Sequence, residues 1–415
     1  MHILHFHQHF TTPDGSGGTR SYEMARRLIE RGHEVTLVCG SYRQGHTGVN
    51  GPYQRGRRRG IVEGIGIIEF DLSYSNYDGF AKRTWTFVRF ALRSIGLALT
   101  QSYDVLFATS TPLTAGVPGI FARWLRGKPF VFEVRDLWPE LPREMGVITN
   151  PLVLRLMDWL EWITYHSATA CIGLSPGIVQ GIVRRGIPAD RVTLVPNGCD
   201  LDFFTPARLQ TRPTGVAAGD LVAIFMGAHG RANGLDAVLD AAAELLRRQR
   251  HDIKLLFVGD GALKPALAAR AESEGLTNCI FLNPVPKREL TALMSGVDVG
   301  LMILANVPAF YYGTSPNKFF DYIASGLPVL NNYPGWLADL IRHNECGLVV
   351  PPGDAAAFAD ALEALADRRD DLAEMGQNAR ILAEREFDRR RLADRFVDWI
   401  EMAVIPREAP RRANT

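Results

Sequence analysis

The groups best suited to chemistry stand together in one stretch, Thr314–Asn331, TSPNKFFDYIASGLPVLN. Ser315, Pro316 and Asn317 supply turn and capping chemistry ahead of the apolar-periodic Phe319, Phe320, Tyr322 and Ile323, so a helix is predicted to begin near Lys318. The free N–H groups and positive dipole end of such a start, with the Lys318 ammonium beside them, suit phosphate oxygens. Asp321 comes three residues on, one turn deeper and on the same face, where a carboxylate accepts hydrogen bonds from a vicinal diol such as a ribose. Ser325-Gly326-Leu327-Pro328 then stops the helix. For an arbitrary lysine and aspartate an exposed helix pair is the better reading. Here the cap, the lysine, the acid and the Gly-Pro stop arrive together.

A second set follows the predicted strand Lys128–Glu133, whose carboxyl end delivers Arg135, Asp136 and Glu140. In open α/β sheets that end is where ligands bind. A carboxylate there takes a proton from an attacking hydroxyl or holds its carrier by hydrogen bonds, and Asp136 is the residue expected to meet the acceptor. The bland alternative is a polar loop in which Arg135 and the acids simply pair.

The elements that must position these groups read as two βαβ series. The first opens with a strand in His2–Phe10, a break at Thr12–Gly18, a helix from about Thr19 to Arg31 and a strand Glu34–Cys39. The second starts at Leu221–Met226 and turns at Gly227–Gly234 before a helix from Leu235. Between them, Leu209–Asp220 is rich in Thr, Pro, Gly and Ala and reads as a linker. At 415 residues the chain suits two domains. The run His5, His7, His9 lies on one side of a strand at a spacing that rarely closes a metal shell, with His9 nearest the cleft.

The 46 basic and 45 acidic residues nearly cancel, which gives no argument for nucleic acid as a partner. Five scattered cysteines without metal-ligand spacing suit buried thiols in a reducing compartment. The first residues lack the pattern of a signal peptide, and no apolar run reaches the roughly 18 residues of a spanning helix. Local charge is more telling. Tyr42–Gly66 reads as a loop containing the basic cluster Arg55, Arg57, Arg58 and Arg59. In Lys82–Leu99, Lys82, Arg89 and Arg93 share one helical face, and Val88, Ala91, Leu92, Ile95 and Leu99 another. That pattern suits either the surface of an anionic bilayer or packing on a sheet, and the upstream arginines favour the bilayer. Leu152–Tyr165 is an apolar, Trp-rich helix, either core or a second surface helix.

The stretch around Lys318 resembles the donor-binding signature of family 4 glycosyltransferases of the GT-B fold, in which two acids seven residues apart flank Pro-x-Lys ahead of Ala-x-Gly-x-Pro-Val. Through Ser-Pro-Asn-Lys, Asn-Asn-Tyr-Pro-Gly-Trp and Cys-Gly-Leu it is most similar to N-acetyl-L-fucosamine transferases of bacterial surface-polysaccharide assembly. The resemblance runs along nearly the whole chain. It implies two Rossmann-like doubly wound α/β domains facing across a cleft: an acceptor-side domain over 1–205 with a membrane-facing helix, and a donor domain over 206–385. A crossover helix and tail over 386–415 would return to the first domain.

The same resemblance assigns Gly17, Gly18 and Arg20 to the approach of the donor phosphates. Asp321 holds the second acidic position, that of the ribose, while the first falls on Gly313. An arginine and a lysine that commonly neutralise the leaving diphosphate fall on Ala228 and Asn233, leaving Arg231, His229 and the Gly230 amide as substitutes. Tyr311 and Tyr312 would lie in a loop over the sugar, and Pro284-Val285-Pro286 near the base. The implied activity is a retaining transfer, without a metal cofactor, of a sugar from a nucleotide diphosphate, most simply UDP, to a lipid-linked acceptor at the inner face of a bacterial membrane. Lys318 and Arg231 would stabilise the leaving diphosphate and Asp136 would meet the acceptor. An epimerase of UDP-N-acetyl sugars and a non-catalytic nucleotide-sugar-binding subunit remain as alternatives.

Overall fold

The computed structural model describes residues 1–15, 17–43, 45–75, 77–204, 212–285 and 287–405, without the side chains of Lys287 and Arg288. The tail expected over 406–415, the first part of the expected linker, Ser16 and Pro286 lie outside the described residues.

The first half runs β1 (His2–Phe6), α1 (Arg20–Glu30), β2 (Glu34–Tyr42), β3 (Arg57–Val62), β4 (Ile65–Tyr74), α2 (Phe80–Thr100) and β5 (Val105–Thr109). It continues through α3 (Val117–Arg126), β6 (Phe130–Val134), α4 (Glu140–Glu144), α5 (Pro151–Ser167), β7 (Ala170–Gly173), α6 (Pro176–Arg184) and β8 (Val192–Leu194). The second half begins with β9 (Leu221–Met226), α7 (Asp236–Arg247), β10 (Ile253–Val258), α8 (Lys264–Ser273), β11 (Cys279–Leu282), α9 (Lys287–Ser295) and β12 (Val299–Met302). Then come α10 (Pro308–Gly313), α11 (Asn317–Ala324), β13 (Val329–Asn331), α12 (Trp336–His343) and β14 (Gly347–Val349). The last helices are α13 (Ala355–Asp367), α14 (Arg369–Glu386) and α15 (Arg389–Val404).

The strands form two sheets, ordered β3-β4-β2-β1-β5-β6-β7-β8 and β11-β10-β9-β12-β13-β14. All described pairings are parallel except β3 with β4. Central strands such as VLFAT, FVFEV and LVAIFM are buried at every residue, as expected where helices cover both faces. Strand order reverses between β1 and β5 in one sheet and between β9 and β12 in the other, and each reversal opens a crevice at the carboxyl ends.

The two crevices face each other. A Cβ on Gly18, in the loop after β1, would stand only 2.7 Å from Asn317 Nδ2 at the start of α11, so the two halves approach closely there. The second half is tied to the first by α15, which packs along α1 with Phe396 edge-on to Phe107 at 5.1 Å. Arg27 pairs with Asp394 at 2.7 Å beside it.

Three expectations change and one open alternative is decided. The segment read as a basic loop contains the edge strand β3, and Arg58 turns inward to fork the buried Glu69 at 2.9 Å, which is also bonded by Thr47 and Tyr53. Glu69 is the reason: a carboxylate buried in β4 needs a cation, and β3 supplies it. The helix α2 buries Thr86, Phe90, Ala91, Ser94, Leu97 and Ala98, a stripe turned by about one residue, roughly 100°, from the one read in the sequence. Phe90, edge-on to Phe70 of β4 at 5.9 Å, and Leu97 turn inward, and Leu92 stays outside. Leu152–Tyr165 becomes α5, a surface helix with its tryptophans outward. Residues 309–313, read as a loop, belong to α10, which packs on α6 and α4.

Candidate active site

Lys318 enters the cleft from the first turn of α11. Its Nζ lies 4.0 Å from the centre of the Phe225 ring and donates to Asn233 Oδ1 at 2.8 Å, with no carboxylate partner among the described residues. Burial lowers its pKa to about 7. Such an ammonium responds strongly to an arriving anion, because little else nearby compensates its charge. Asn233, where the resemblance implied a lysine, donates from Nδ2 to Ala228 O at 2.6 Å and so aims its carbonyl at Lys318. No sequence signal links two residues so far apart. Asn233, expected as the loss of a cation, is instead a hydrogen-bond partner of Lys318.

Arg231 is exposed on the short turn after Gly230, and its guanidinium makes no hydrogen bond or ion pair to a described residue. His229 differs from its expected role. Its ring is fully buried at the edge of Phe257 and Phe281, near Phe225, with neither nitrogen hydrogen-bonded to a described residue. Burial, then Lys264, lower its pKa to about 4, so it is neutral at pH 7 and offers a diphosphate no charge. Its backbone instead braces the neighbouring turn, donating to Asp260 O at 2.9 Å and accepting from Leu263 N at 3.0 Å.

Arg20, expected at the donor phosphates, is committed elsewhere. Its Nε and Nη2 fork Glu133 at 2.9 and 2.8 Å, Nη1 donates to Pro196 O at 2.7 Å, and Nη2 also donates to Val195 O at 2.8 Å. Both partners are almost wholly buried. Burial alone would raise the Glu133 pKa, but Arg20 and Arg135 outweigh it and hold Glu133 ionised. The pair staples α1 to β6 beneath the cleft. Gly17 and Gly18 remain at the cleft, Gly18 against Asn317.

Ser315 does not cap α11, which has no side-chain cap bond. Its Oγ accepts from Asn197 N at 3.1 Å and its carbonyl accepts from Asn197 Nδ2 at 2.5 Å, joining the organising stretch to the turn after β8. Asp321 lies on the side of α11 that meets this turn, close enough to Cys199 to raise the thiol's pKa after burial. Gly313 ends α10 with open space where a Cβ would stand, so packing does not dictate a glycine there.

On the other wall, Asp136 accepts from Thr111 Oγ1 at 2.9 Å. Burial raises its pKa against the opposing effects of Thr111 and Arg135. Arg135 Nη1 meets His7 Nε2 at 3.3 Å. His5 and His9 are pushed to about 3 by burial, and His9 packs on Tyr42, Tyr74 and Phe87. Among the described residues, no cluster of histidine, cysteine or carboxylate could hold a metal. Contacts between the halves include Ser175 Oγ, which while capping α6 donates to Tyr312 O at 2.6 Å, and Ala309 N, which donates to Glu144 Oε2 at 2.8 Å; Tyr77 also lies near enough to Asp260 to lower that acid's pKa. The arrangement can bind an anion on the α11 side and present a carboxylate opposite.

Comparison with known proteins agrees with this geometry. A family profile described as a glycosyl transferase 4-like domain matches residues 15–198, and one described as glycosyl transferases group 1 matches 220–368. The chain is 34% identical to a D-inositol 3-phosphate glycosyltransferase of Pseudarthrobacter chlorophenolicus over 298 residues, 68% of this chain and 67% of that protein. A second, from Nocardia farcinica, is 34% identical over 209 residues, 48% of this chain and 45% of its own length. D-rhamnosyltransferase WbpZ of Pseudomonas aeruginosa is 28% identical, with 56% of this chain and 59% of that protein aligned. Thus the chain spans about half to two thirds of these curated relatives. Sucrose-phosphate synthase of Thermosynechococcus elongatus superposes with a TM-score of 0.74 at 18% identity, covering 97% of this chain and 98% of that one. HepE of Anabaena, in complex with UDP and glucose, gives 0.67 at 17% identity over 96% and 99%. The chain belongs to the family 4 glycosyltransferases, with the two-sheet GT-B fold.

Proposed function

We propose that the protein is a retaining glycosyltransferase that moves a sugar, an N-acetylated amino or deoxyamino sugar, from UDP to a polyprenyl-diphosphate-linked sugar during assembly of a bacterial surface polysaccharide. The observation that carries it is Lys318: a half-buried ammonium with no carboxylate partner among the described residues, against Gly227 of the second glycine-rich turn and one residue after Asn317, which meets Gly18 of the other half. Lys318, Arg231 and the α11 amides would receive the charge that develops on the departing diphosphate. That leaving oxygen would help remove the acceptor proton as the acceptor attacks from the same face of the sugar, so the retained configuration needs no nucleophile from the protein. Asp136 would hold the acceptor. The cationic groups supply what a divalent ion supplies elsewhere, so no metal cofactor is invoked.

The choice of UDP is supported by the nucleotide bound to HepE, and the lipid-linked acceptor by the outward apolar helices of the first half and the surface-polysaccharide resemblance. A second reading has a soluble phosphorylated acceptor, and the names of the inositol-phosphate relatives favour it. The deciding experiment is a mass-spectrometric assay of UDP-, GDP- and ADP-sugars against a polyprenyl-diphosphate-sugar and against D-inositol 3-phosphate. A lipid-linked disaccharide formed from one UDP-sugar supports the proposal. Product only on inositol 3-phosphate overturns it in favour of the second reading, and conversion of a UDP-sugar without acceptor points to an epimerase. Binding of UDP without turnover of any donor leaves a binding subunit.

A further inference from the structure

We propose that the outer faces of α2, α3 and α5 form one bilayer-docking surface for an anionic monolayer, and that α5, not α2, is its centre. This deepens, and rests on, the lipid-linked acceptor reading above. The helices lie side by side, α2 along α3 and α3 along α5, covering one side of the first sheet. Each buries an inner stripe and leaves large apolar groups outside: Trp85 on α2 is 60% exposed, Trp124 on α3 70%, and Leu152, Leu156, Trp159 and Trp162 on α5 75, 63, 55 and 47%. The four on α5 are spaced at 4, 3 and 3 residues, one continuous face of the helix opposite its buried Glu161, Thr164 and Tyr165. Two of the indoles are pre-ordered, Trp124 by donating to Ser167 Oγ at 2.9 Å and Trp162 by stacking on His166 at 4.1 Å.

Charge selects the occupant. Neither α2 nor α3 contains an acidic residue, and the two acids of α5, Asp158 and Glu161, are both bound to Arg185, just after α6, at 2.7 and 2.5 Å. Arg89, Arg123 and Arg155, one on each helix, are exposed and make no ion pair with a described residue. A second copy docked face to face would set arginines against arginines, whereas lipid phosphates complement them and the indoles settle at the headgroup level. All three helices start at the carboxyl edge of the sheet: Tyr77, just ahead of α2, reaches Asp260 across the cleft, and α4, just ahead of α5, touches α10. The surface therefore ends at the cleft mouth, where a head group lying in the monolayer plane is close to Asp136.

The test is flotation of the full chain with vesicles of phosphatidylcholine alone, and of roughly two parts phosphatidylcholine to one part phosphatidylglycerol. The wild type should float with the anionic vesicles and bind the neutral ones at least several-fold more weakly. Leu156→Glu with Trp159→Glu should weaken flotation about tenfold or more, and Trp85→Glu with Leu92→Glu by a smaller factor. UDP binding, measured by calorimetry, should be unchanged in both and serves as the folding control; if the glutamate pair on α5 fails it, Leu156→Ser with Trp159→Ser takes its place. No flotation of the wild type, undiminished flotation of the α5 variant, or a wild-type dimer that the α5 variant dissolves overturns the proposal. Flotation without transfer to any lipid acceptor would refute the lipid-linked acceptor reading while leaving the docking surface standing.

Discussion

Lys318 carries the sharpest expectations at the scale of single residues. Its alanine variant should weaken UDP binding and lower turnover by on the order of 10²–10³; an unchanged rate refutes the assignment. Because burial holds its folded pKa near 7, below the value of a free lysine, the folded chain binds fewer protons than the unfolded one between about pH 7 and 10.4. Stability of the ligand-free protein should therefore gain from Lys318 as pH rises through that window, and Lys318→Met should flatten the gain in urea titrations. Donor binding runs the other way, weakening above pH 7 as the ammonium is lost, and Lys318→Arg should remove that slope while leaving the titration of UDP itself in place. Asn233→Ala should cost about tenfold in kcat/KM with a small change in stability, since it releases the ammonium from its aimed position. Equal loss of stability and activity would make Asn233 structural only.

The staple between α1 and β6 and the loop after β6 are matters of elements. Arg20→Ala leaves Glu133 buried without its main cation and should destabilise the chain by about 3–5 kcal/mol in urea, with Arg20→Lys recovering part. An arginine serving only the donor would leave the urea midpoint unmoved. Asp136→Asn should spare UDP binding and depress transfer by on the order of a hundredfold, seen as a fall in kcat. The α/β alternation, the Gly-rich turn after β1 and the start of α11 were legible because periodicity, capping residues and glycine are local signals. Neither β3 nor the rotation of α2 was legible, because a buried Glu69 and the Phe70 ring of β4 fix them from residues distant in sequence.

At the scale of the whole molecule, closure of the two halves is the variable most open to measurement. Tyr77→Phe removes the hydroxyl that faces Asp260 across the cleft and shifts that acid's pKa. It should raise the donor KM a few-fold and increase wasteful hydrolysis of the donor while leaving the melting temperature in place, because Tyr77 is more than half exposed. A drop in melting temperature with no kinetic change would make Tyr77 a fold contact instead. The sequence by itself determined that there are two Rossmann-like series, that a lysine and an acid share one helix start, and that an acid follows β6, since each rests on spacing within a few residues. Only the tertiary structure decided which charges are free to act. Arg20 and His229 are chemically apt for a diphosphate, yet one is spent on Glu133 and the other is neutral between phenylalanines, whereas Asn233 becomes a partner of Lys318. Burial and pairing are properties of neighbours in space, and the chain brings those neighbours from strands and helices far along the sequence.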